Sequence, residues 1–503
     1  MSPVVEADGW ALAAFLGYLI LLVGIGAWSA RFSSRGIGNF FVGGRVMNRW
    51  VVALSAVVSG RSAWLLLGVT GMAWQMGASA LWAVVGYTAA EFFLFLYFAP
   101  RLRRFAGDRD CVTITDFLAE RFQDRNGLLR ICLAVVLMVF MAAYVSAQFV
   151  GGGKAMGASF GLDPQVGILL TALIVLLYTT VGGFLAVSLT DTLQAAFMVV
   201  ALVAIPLLAL SGLGGWGVVQ AELTAWEPTF LDALSLGGGA LFGLVAIGLG
   251  SPGNPHILVR YMSIRDAADL RFAAWTGTAA NVIMGAGAVA IGLVGRAWVP
   301  ELEMLPGQDT ENLYPFLAQE LLPPVLFGMV VASIFAAIMS TADSQLLVGA
   351  SALVRDIYEK VMRKGEEIPD RLLVVLSRAV VALMVVGAVA LGWAAEDLVF
   401  WLVLFAWAGL GAALGPPMIL ALYWRGATRA GVLAGVATGA VTTVVWYLTP
   451  ALNDLMYELI PAFFLAGLVT VVVSRFTTPP TEVERDFQVM EGFRPPPPPR
   501  PPE

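Results

Sequence analysis

Charge is scarce in this chain. Asp, Glu, Lys and Arg make up 13% of its 503 residues, and 59% are hydrophobic. Soluble domains carry about twice that share of charge. Runs of about twenty apolar residues, in place of short alternating segments, exclude a barrel and indicate an all-α polytopic membrane protein. Histidine occurs once, as His256, and cysteine twice, as Cys111 and Cys132. No metal-ligand spacing and no nucleophile–base pair is visible, so an enzyme is not expected. Both cysteines fall on the side assigned below to the cytoplasm, where no disulfide is expected. Residues 1–10 contain no Lys or Arg and do not look like the basic start of a cleaved signal peptide. The expected partners are a small solute and the lipid bilayer, with no nucleic acid, no fused signalling domain and no cofactor beyond a possible sodium ion.

What the chain has is about thirteen hydrophobic spans. Basic residues decide their orientation. With the N-terminus outside, only Lys154 and Arg296 of the 29 Lys and Arg lie in outside loops, and Arg61 lies within the membrane. All the others fall inside, which places the C-terminus in the cytoplasm of a cell (inner) membrane protein. The expected organisation is an N-terminal extra helix and cytoplasmic loop (1–49), a five-helix unit (50–212), a second (237–422), two C-terminal helices (430–474) and a disordered Pro-rich cytoplasmic tail (475–503). The outside loops at 213–236 and 297–322 are acidic and rich in Trp, Pro and Gly, as lids would be.

Two spans are interrupted. The first carries Ser59-Gly-Arg-Ser62 at its centre, where Gly60 weakens the helix and the serines can satisfy freed backbone groups. Arg61 lies about 16 Å from the cytoplasmic end of that span at helical rise, too far for its side chain to reach water. A cation at such depth needs a partner, so it marks a functional candidate. The second interruption is Ile247-Gly-Leu-Gly-Ser-Pro-Gly-Asn-Pro-His256, in which Gly250, Pro252, Gly253 and Pro255 cannot continue a regular helix. Broken spans five helices apart point to a transporter built from an inverted repeat, with freed backbone groups facing a midplane cavity. Three acids share the membrane interior with Arg61: Glu91, Asp191 and Asp343. Ser340, Asp343 and Ser344 share a helix face, and hydroxyl and carboxylate oxygens at this spacing suit a hard cation.

These residues resemble the sodium/solute symporter family, most closely its sodium/proline symporters. The motifs are Val42-Gly-Gly-Arg45, Ala53-Leu-Ser-Ala56, Trp64-Leu-Leu-Leu-Gly68, Val181-Gly-Gly-Phe-Leu-Ala-Val-Ser-Leu-Thr-Asp-Thr192, Pro255-His-Ile-Leu258, Ala336-Ala-Ile-Met-Ser-Thr341 and Phe405-Ala-Trp-Ala-Gly409. The resemblance implies a leucine-transporter-type core of two inverted five-helix repeats, alternating access and cation-driven uptake of a small solute such as proline, a related amino acid or an organic acid. It implies sodium ligands at the carbonyls near Val58 and Arg61, the carbonyl of Ala337 and the hydroxyls of Ser340 and Thr341. It implies a solute pocket at Ser62, Ala63, Trp64, Tyr144, Ile247 and Ser344.

The chain departs from the resemblance at the first break. Gly60 stands where the proline symporters have an aspartate, and Arg61 where they have a methionine. The pocket departs too, since Ile247 stands for a tryptophan and Ser344 for a cysteine. One expectation is that Arg61 sits at or beside the sodium site and replaces the ion, paired with Asp343, Asp191 or Glu91. An acid left over would then carry a proton. The other is that Arg61 enters the cavity and binds a solute carboxylate. Sodium-coupled, proton-coupled and ion-independent transport all stay open, as does a membrane solute sensor.

Overall fold

The computed structural model describes residues 8–33, 41–395 and 398–493. Among them, nine helices are long and apolar enough to cross a membrane, and four shorter apolar helices accompany them, thirteen segments in all. In chain order the helices used below, with the Trp64–Asp108 segment divided into two and two further helices added, are α1 (Gly9–Ser33), α2 (Arg49–Ser59), α3 (Thr70–Met76), α4 (Leu81–Phe93), α5 (Leu128–Phe160), α6 (Pro164–Thr180), α7 (Gly183–Gly212), α8 (Gly238–Ala246), α9 (Pro255–Ser263), α10 (Leu270–Trp298), α11 (Pro324–Ser351), α12 (Asp370–Trp393), α13 (Val399–Tyr423), α14 (Arg429–Leu448), α15 (Leu459–Arg475) and α16 (Val483–Glu491). A wide-turn segment, Leu94–Phe98, extends α4 towards Asp108.

Helix ends follow local chemistry. The Asn48 side chain accepts from the amides of Trp50 and Val51 at 2.9 and 3.0 Å and starts α2. The Asp163 side chain starts α6 in the same way, ahead of Pro164. Between α6 and α7 the chain turns at Gly183, whose φ of 62° and ψ of −173° only glycine adopts readily.

The broken spans lie at the centre. Helix α11 is buried along almost its whole length, packed on α2, α5 and the 164–212 pair. Helix α13 packs against α5, the second break and the α14–α15 pair. The loops at 213–236 and 297–322 cover one end. The Trp82 indole donates to the Ala233 carbonyl at 2.8 Å, and the Ala78 amide to the Phe230 carbonyl at 2.9 Å. Arg296 lies over the rings of Trp74 and Trp226, at 4.0 and 3.9 Å.

The structure corrects the expectation of a disordered tail over 475–503. Residues 483–491 form α16, which buries Phe487 and Met490 against the segment Ala99–Asp108. The Arg109 guanidinium contacts Glu482 and lies 2.7 Å from Asp486. Arg104 donates to the Met490 carbonyl at 3.0 Å. Two apolar residues on one face of a short helix, ringed by acids opposite a basic loop, are enough to order it. The polyproline stretch itself falls in 494–503, outside the described residues.

Candidate functional site

At the first break the Gly60 amide donates to the Val57 carbonyl at 3.1 Å and the Arg61 amide to the Val58 carbonyl at 2.9 Å. This tightens the end of α2. Ser62 then takes a positive φ of 48°, which turns the chain out of the helix. Two freed amides find side chains: Ala63 donates to Gln148 Oε1 at 3.0 Å and Trp64 to Ser62 Oγ at 3.1 Å. A wide turn over Trp64–Val69 leads on to α3.

At the second break Ile247–Gly253 form a tight turn that ends at Asn254, whose side chain donates to the Gly250 carbonyl at 2.8 Å. The Trp407 indole of α13 donates to the Ile247 carbonyl at 2.8 Å. A Cβ on Gly250 would lie 2.0 Å from that indole nitrogen, and one on Gly253 would lie 2.4 Å from the Leu410 carbonyl. These glycines are required by the close approach of α13. Pro252 sits inside the turn and Pro255 opens α9.

The breaks face a hollow lined by Arg61, Trp64, Tyr87, Tyr144, Ile247 and Trp407, with room of about 10 Å³, roughly one water. Arg61 is one of its walls. The guanidinium is fully buried, contacts the Glu91 carboxylate and lies 3.8 Å over the Tyr87 ring. Asn281 of α10 donates to the other Glu91 oxygen at 2.8 Å. Arg61 is therefore directed into the hollow and not between α2 and α11, and its partner is Glu91 and not Asp343 or Asp191. This corrects the expectation that the guanidinium stands in for an ion at the sodium position.

Beside the hollow, α11 meets the end of α2. Ser340 Oγ donates to the Ala337 carbonyl at 3.0 Å and lies 3.4 Å from the Val58 carbonyl. Thr341 Oγ1 donates to the Ser59 carbonyl at 2.9 Å. The Arg61 carbonyl accepts from the Leu65 amide at 3.0 Å and is turned into its own helix. Four of the expected ligand residues, Val58, Ala337, Ser340 and Thr341, thus converge, and Arg61 does not join them. An all-oxygen set of neutral carbonyls and hydroxyls fits a hard monovalent cation.

A third cluster lies further along α11. Asp191 accepts from Ser55 Oγ at 2.6 Å and Ser59 Oγ at 3.2 Å, and pairs with Arg260 at 3.2 Å. Arg260 also donates to Ser55 Oγ at 3.1 Å and contacts the His256 carbonyl and Ser344 Oγ. Ser344 Oγ lies 3.2 Å from Asp343 Oδ1. Ser344 thus belongs to this charged cluster and not to the hollow, which corrects its assignment to the solute pocket. Ser62 and Ala63 shape the turn beside the hollow through their contacts with Trp64 and Gln148.

At the end covered by the loops at 213–236 and 297–322, Glu311 is buried and sits on the first turn of α13. Its carboxylate accepts from the amides of Val399 and Phe400 at 2.9 and 2.8 Å and from Lys154 Nζ at 2.6 Å. Asp309 holds the same ammonium at 2.7 Å. The Phe400 ring stacks on Trp64 with centroids 5.6 Å apart. Sequence reasoning missed Gln148, Asn281, Trp407 and Glu311 as site residues. Only Trp407 had a signal, the aromatic stretch around it.

Comparisons with known proteins agree with this architecture. A family model described as "Sodium:solute symporter family" matches residues 40–439. A sodium/proline symporter of Staphylococcus aureus (strain JH9) is 36% identical over 495 residues, covering 95% of each chain, and that of strain NCTC 8325 / PS 47 matches equally. Among solved structures, a Na+-coupled sialic acid symporter in a substrate-bound outward-open state matches with a TM-score of 0.80 at 18% identity, covering 94% of this chain and 98% of that one. Mhp1, a nucleobase-cation-symport-1 family transporter in a closed conformation, matches with a TM-score of 0.53 at 15% identity, covering 90% and 98%. The chain belongs to the sodium:solute symporter family, and it is a cation-coupled secondary transporter, not an enzyme.

Proposed function

We propose that this transporter takes a small solute, proline or a related amino acid or organic acid, into the cell by alternating access, with sodium as the coupling ion. The solute occupies the hollow between the breaks. Sodium occupies the oxygen set of Val58, Ala337, Ser340 and Thr341. The protein sits in the cell membrane with its N-terminus outside and its C-terminus in the cytoplasm.

The observation that carries the reading is the meeting of α2 and α11. The carbonyls of Val58 and Ser59 face the hydroxyls of Ser340 and Thr341, and the same turn presents Arg61 to the hollow. Sodium and solute would then hold opposite sides of one turn. The relatives' description as sodium/proline symporters supports this choice of ion and the inclusion of proline.

One observation favours a second reading, with a proton as the coupling ion. Asp191 and Asp343 are fully buried beside a single guanidinium, that of Arg260. Two carboxylates against one cation leave a negative charge, which a proton or a metal cation would neutralise. Uptake of radiolabelled amino acids and organic acids into proteoliposomes, under an imposed sodium or proton gradient, separates the two. Accumulation driven by inward sodium and lost in Ser340→Ala and Thr341→Ala supports the first. Accumulation indifferent to sodium and driven by inward protons overturns it. Solute binding without accumulation under either gradient would indicate a sensor.

A further inference from the structure

The geometry points to a solute that is a small zwitterion, which enters by splitting the Arg61–Glu91 pair: its carboxylate takes the guanidinium and its ammonium takes Glu91. This deepens the proposed function and rests on its placing of the solute in the hollow.

The hollow has room for about one water, so no amino acid fits beside the closed pair. Some wall must move. The walls include Trp64, which is stacked on Phe400, and Trp407, whose indole is bonded to the Ile247 carbonyl. Arg61 is the long, flexible wall, attached to a turn that Ser62 already holds out of the helix. Its removal from Glu91 enlarges the hollow and frees both charged groups at once.

Charge then limits what can enter. The two side chains are 1% and 2% exposed, and the buried pair nearest along the first break, Asp191–Arg260, is bonded within its own network of Ser55, Ser59 and Ser344. A solute with only a carboxylate would leave Glu91 unpaired in a dry site. A solute with only an amine would leave Arg61 unpaired. Leaving one member of a buried pair without its partner costs a factor of a hundred or more in equilibrium terms, on the order of measured pair breakages. A neutral solute gains nothing from opening the pair. A zwitterion replaces each partner by a like charge and leaves the site neutral.

The two ends are prepared for this exchange. A guanidinium offers a planar fork to a carboxylate. Asn281 fixes one oxygen of Glu91 and leaves the other for an ammonium. The Tyr87 ring, now under Arg61, offers its face to either cation.

The test uses the purified full chain, with sodium present, and reads thermal stabilisation, which needs no ion gradient. The probes are the standard L-amino acids, with matched analogues lacking one charge. For proline these are tetrahydrofuran-2-carboxylate and pyrrolidine. For alanine they are propionate and ethylamine. The expected result is stabilisation by at least one small amino acid, with its single-charge analogues weaker by a hundredfold or more. The double variant Arg61→Met with Glu91→Gln removes both charges and so leaves no buried charge behind. It should retain a cooperative melt and lose the preference for the zwitterion over its analogues. Three results overturn the inference: a carboxylate analogue that binds as tightly as its amino acid, no stabilisation by any amino acid, or an unchanged preference in the double variant. Failure of the proposed function reads differently, as the absence of ion-driven accumulation in proteoliposomes whatever binds in the melt.

Discussion

Replacing Glu311 by glutamine should loosen the outer cover of the hollow. The carboxylate holds the first turn of α13 through two backbone amides and ties it to α5 through Lys154. That turn carries Phe400, whose ring covers Trp64. An amide at the same place keeps one acceptor oxygen and loses the negative charge. Hydrogen bonds to charged groups contribute about 1.5–3 kcal/mol each, and a charge at a helix N-terminus contributes about 0.3–1 kcal/mol. Lys154 keeps Asp309 at 2.7 Å, so no buried charge is stranded and the fold should survive. The net weakening of the closed cover is then about 1.5 kcal/mol, roughly tenfold in its opening equilibrium. A cysteine introduced at Val403, which lines the hollow, reports on that opening through its reaction with a membrane-impermeant thiol reagent added outside. In the variant it should react roughly tenfold faster. Acid should act in the same direction. Burial raises the Glu311 carboxyl above its ordinary range, and Lys154 opposes part of that rise. Protonation therefore begins at milder acidity than for an exposed glutamate, and it discharges the latch. Because acid lowers the thiolate fraction of the probe cysteine equally in both proteins, the ratio of the labelling rate in the Glu311 protein to that in the glutamine variant should rise as the outside pH is lowered. Equal labelling rates in the two proteins at neutral pH would refute the latch.

Three further outcomes are expected. Gly250→Ala places a methyl 2.0 Å from the Trp407 indole nitrogen, so α13 must retreat; a loss of about 1–3 kcal/mol in thermal stability and loss of uptake should follow, and a wild-type melt and uptake would contradict the packing. Arg260→Met leaves two buried carboxylates, Asp191 and Asp343, with no guanidinium and should lower stability by about 3–5 kcal/mol, whereas Asp191→Asn leaves Asp343 to balance Arg260 and should cost less, both read as falls in melting temperature. Phe487→Ala should release α16, read as faster proteolysis after residue 475 with uptake retained. The Arg109 contact holds the Glu482 carboxyl below its ordinary range, so this contribution to docking is present at neutral pH and should be lost only as the pH falls below that of an exposed glutamate.

The breaks were legible because Gly250, Pro252, Gly253 and Pro255 crowd into six residues and Gly60 stands beside a charged residue, whereas an isolated proline such as Pro206 stays inside its helix. The depth of Arg61 was legible from the length of its span alone. Its partner was not, because three acids were within the membrane and nothing in a linear pattern sets the relative rotation of two helices. Glu91 is chosen by the packing of α4 against α10, which also brings Asn281 to the second oxygen. Glu311 was illegible for a related reason. It lies in an acidic loop between spans, where a solvated charge is the ordinary expectation, and only the docking of that loop onto α13 buries it. The tail was misjudged because its proline run dominates the composition, while the order comes from Phe487 and Met490 just before it.

The geometry of the first break bears on how one substance can drive another. The Arg61 amide donates to the Val58 carbonyl, and that same carbonyl lies 3.4 Å from Ser340 Oγ. The Ser59 carbonyl is held by Thr341, and the Ser59 hydroxyl by Asp191. Four consecutive residues, Val58 to Arg61, thus carry contacts to the hollow, to the oxygen set on α11 and to the charged cluster. Their tight turn is short and fully buried, so it cannot absorb a displacement of Arg61 without moving the Val58 and Ser59 carbonyls. A solute that pulls Arg61 from Glu91 would therefore alter the oxygen set, and an ion gathered by that set would alter the position from which Arg61 reaches the solute. Linkage requires the two effects to be equal: the factor by which the coupling cation tightens solute binding must be the factor by which the solute tightens binding of that cation. Stiffening or loosening the turn should change that factor before it changes either affinity alone. Ser62→Gly removes the strain of the positive φ and the hydroxyl that accepts from Trp64, so it loosens the turn while leaving the ion and solute groups in place. The coupling factor, measured as the ratio of solute affinities with and without sodium, should shrink towards one in that variant. An undiminished ratio would mean that the coupling runs through another part of the molecule.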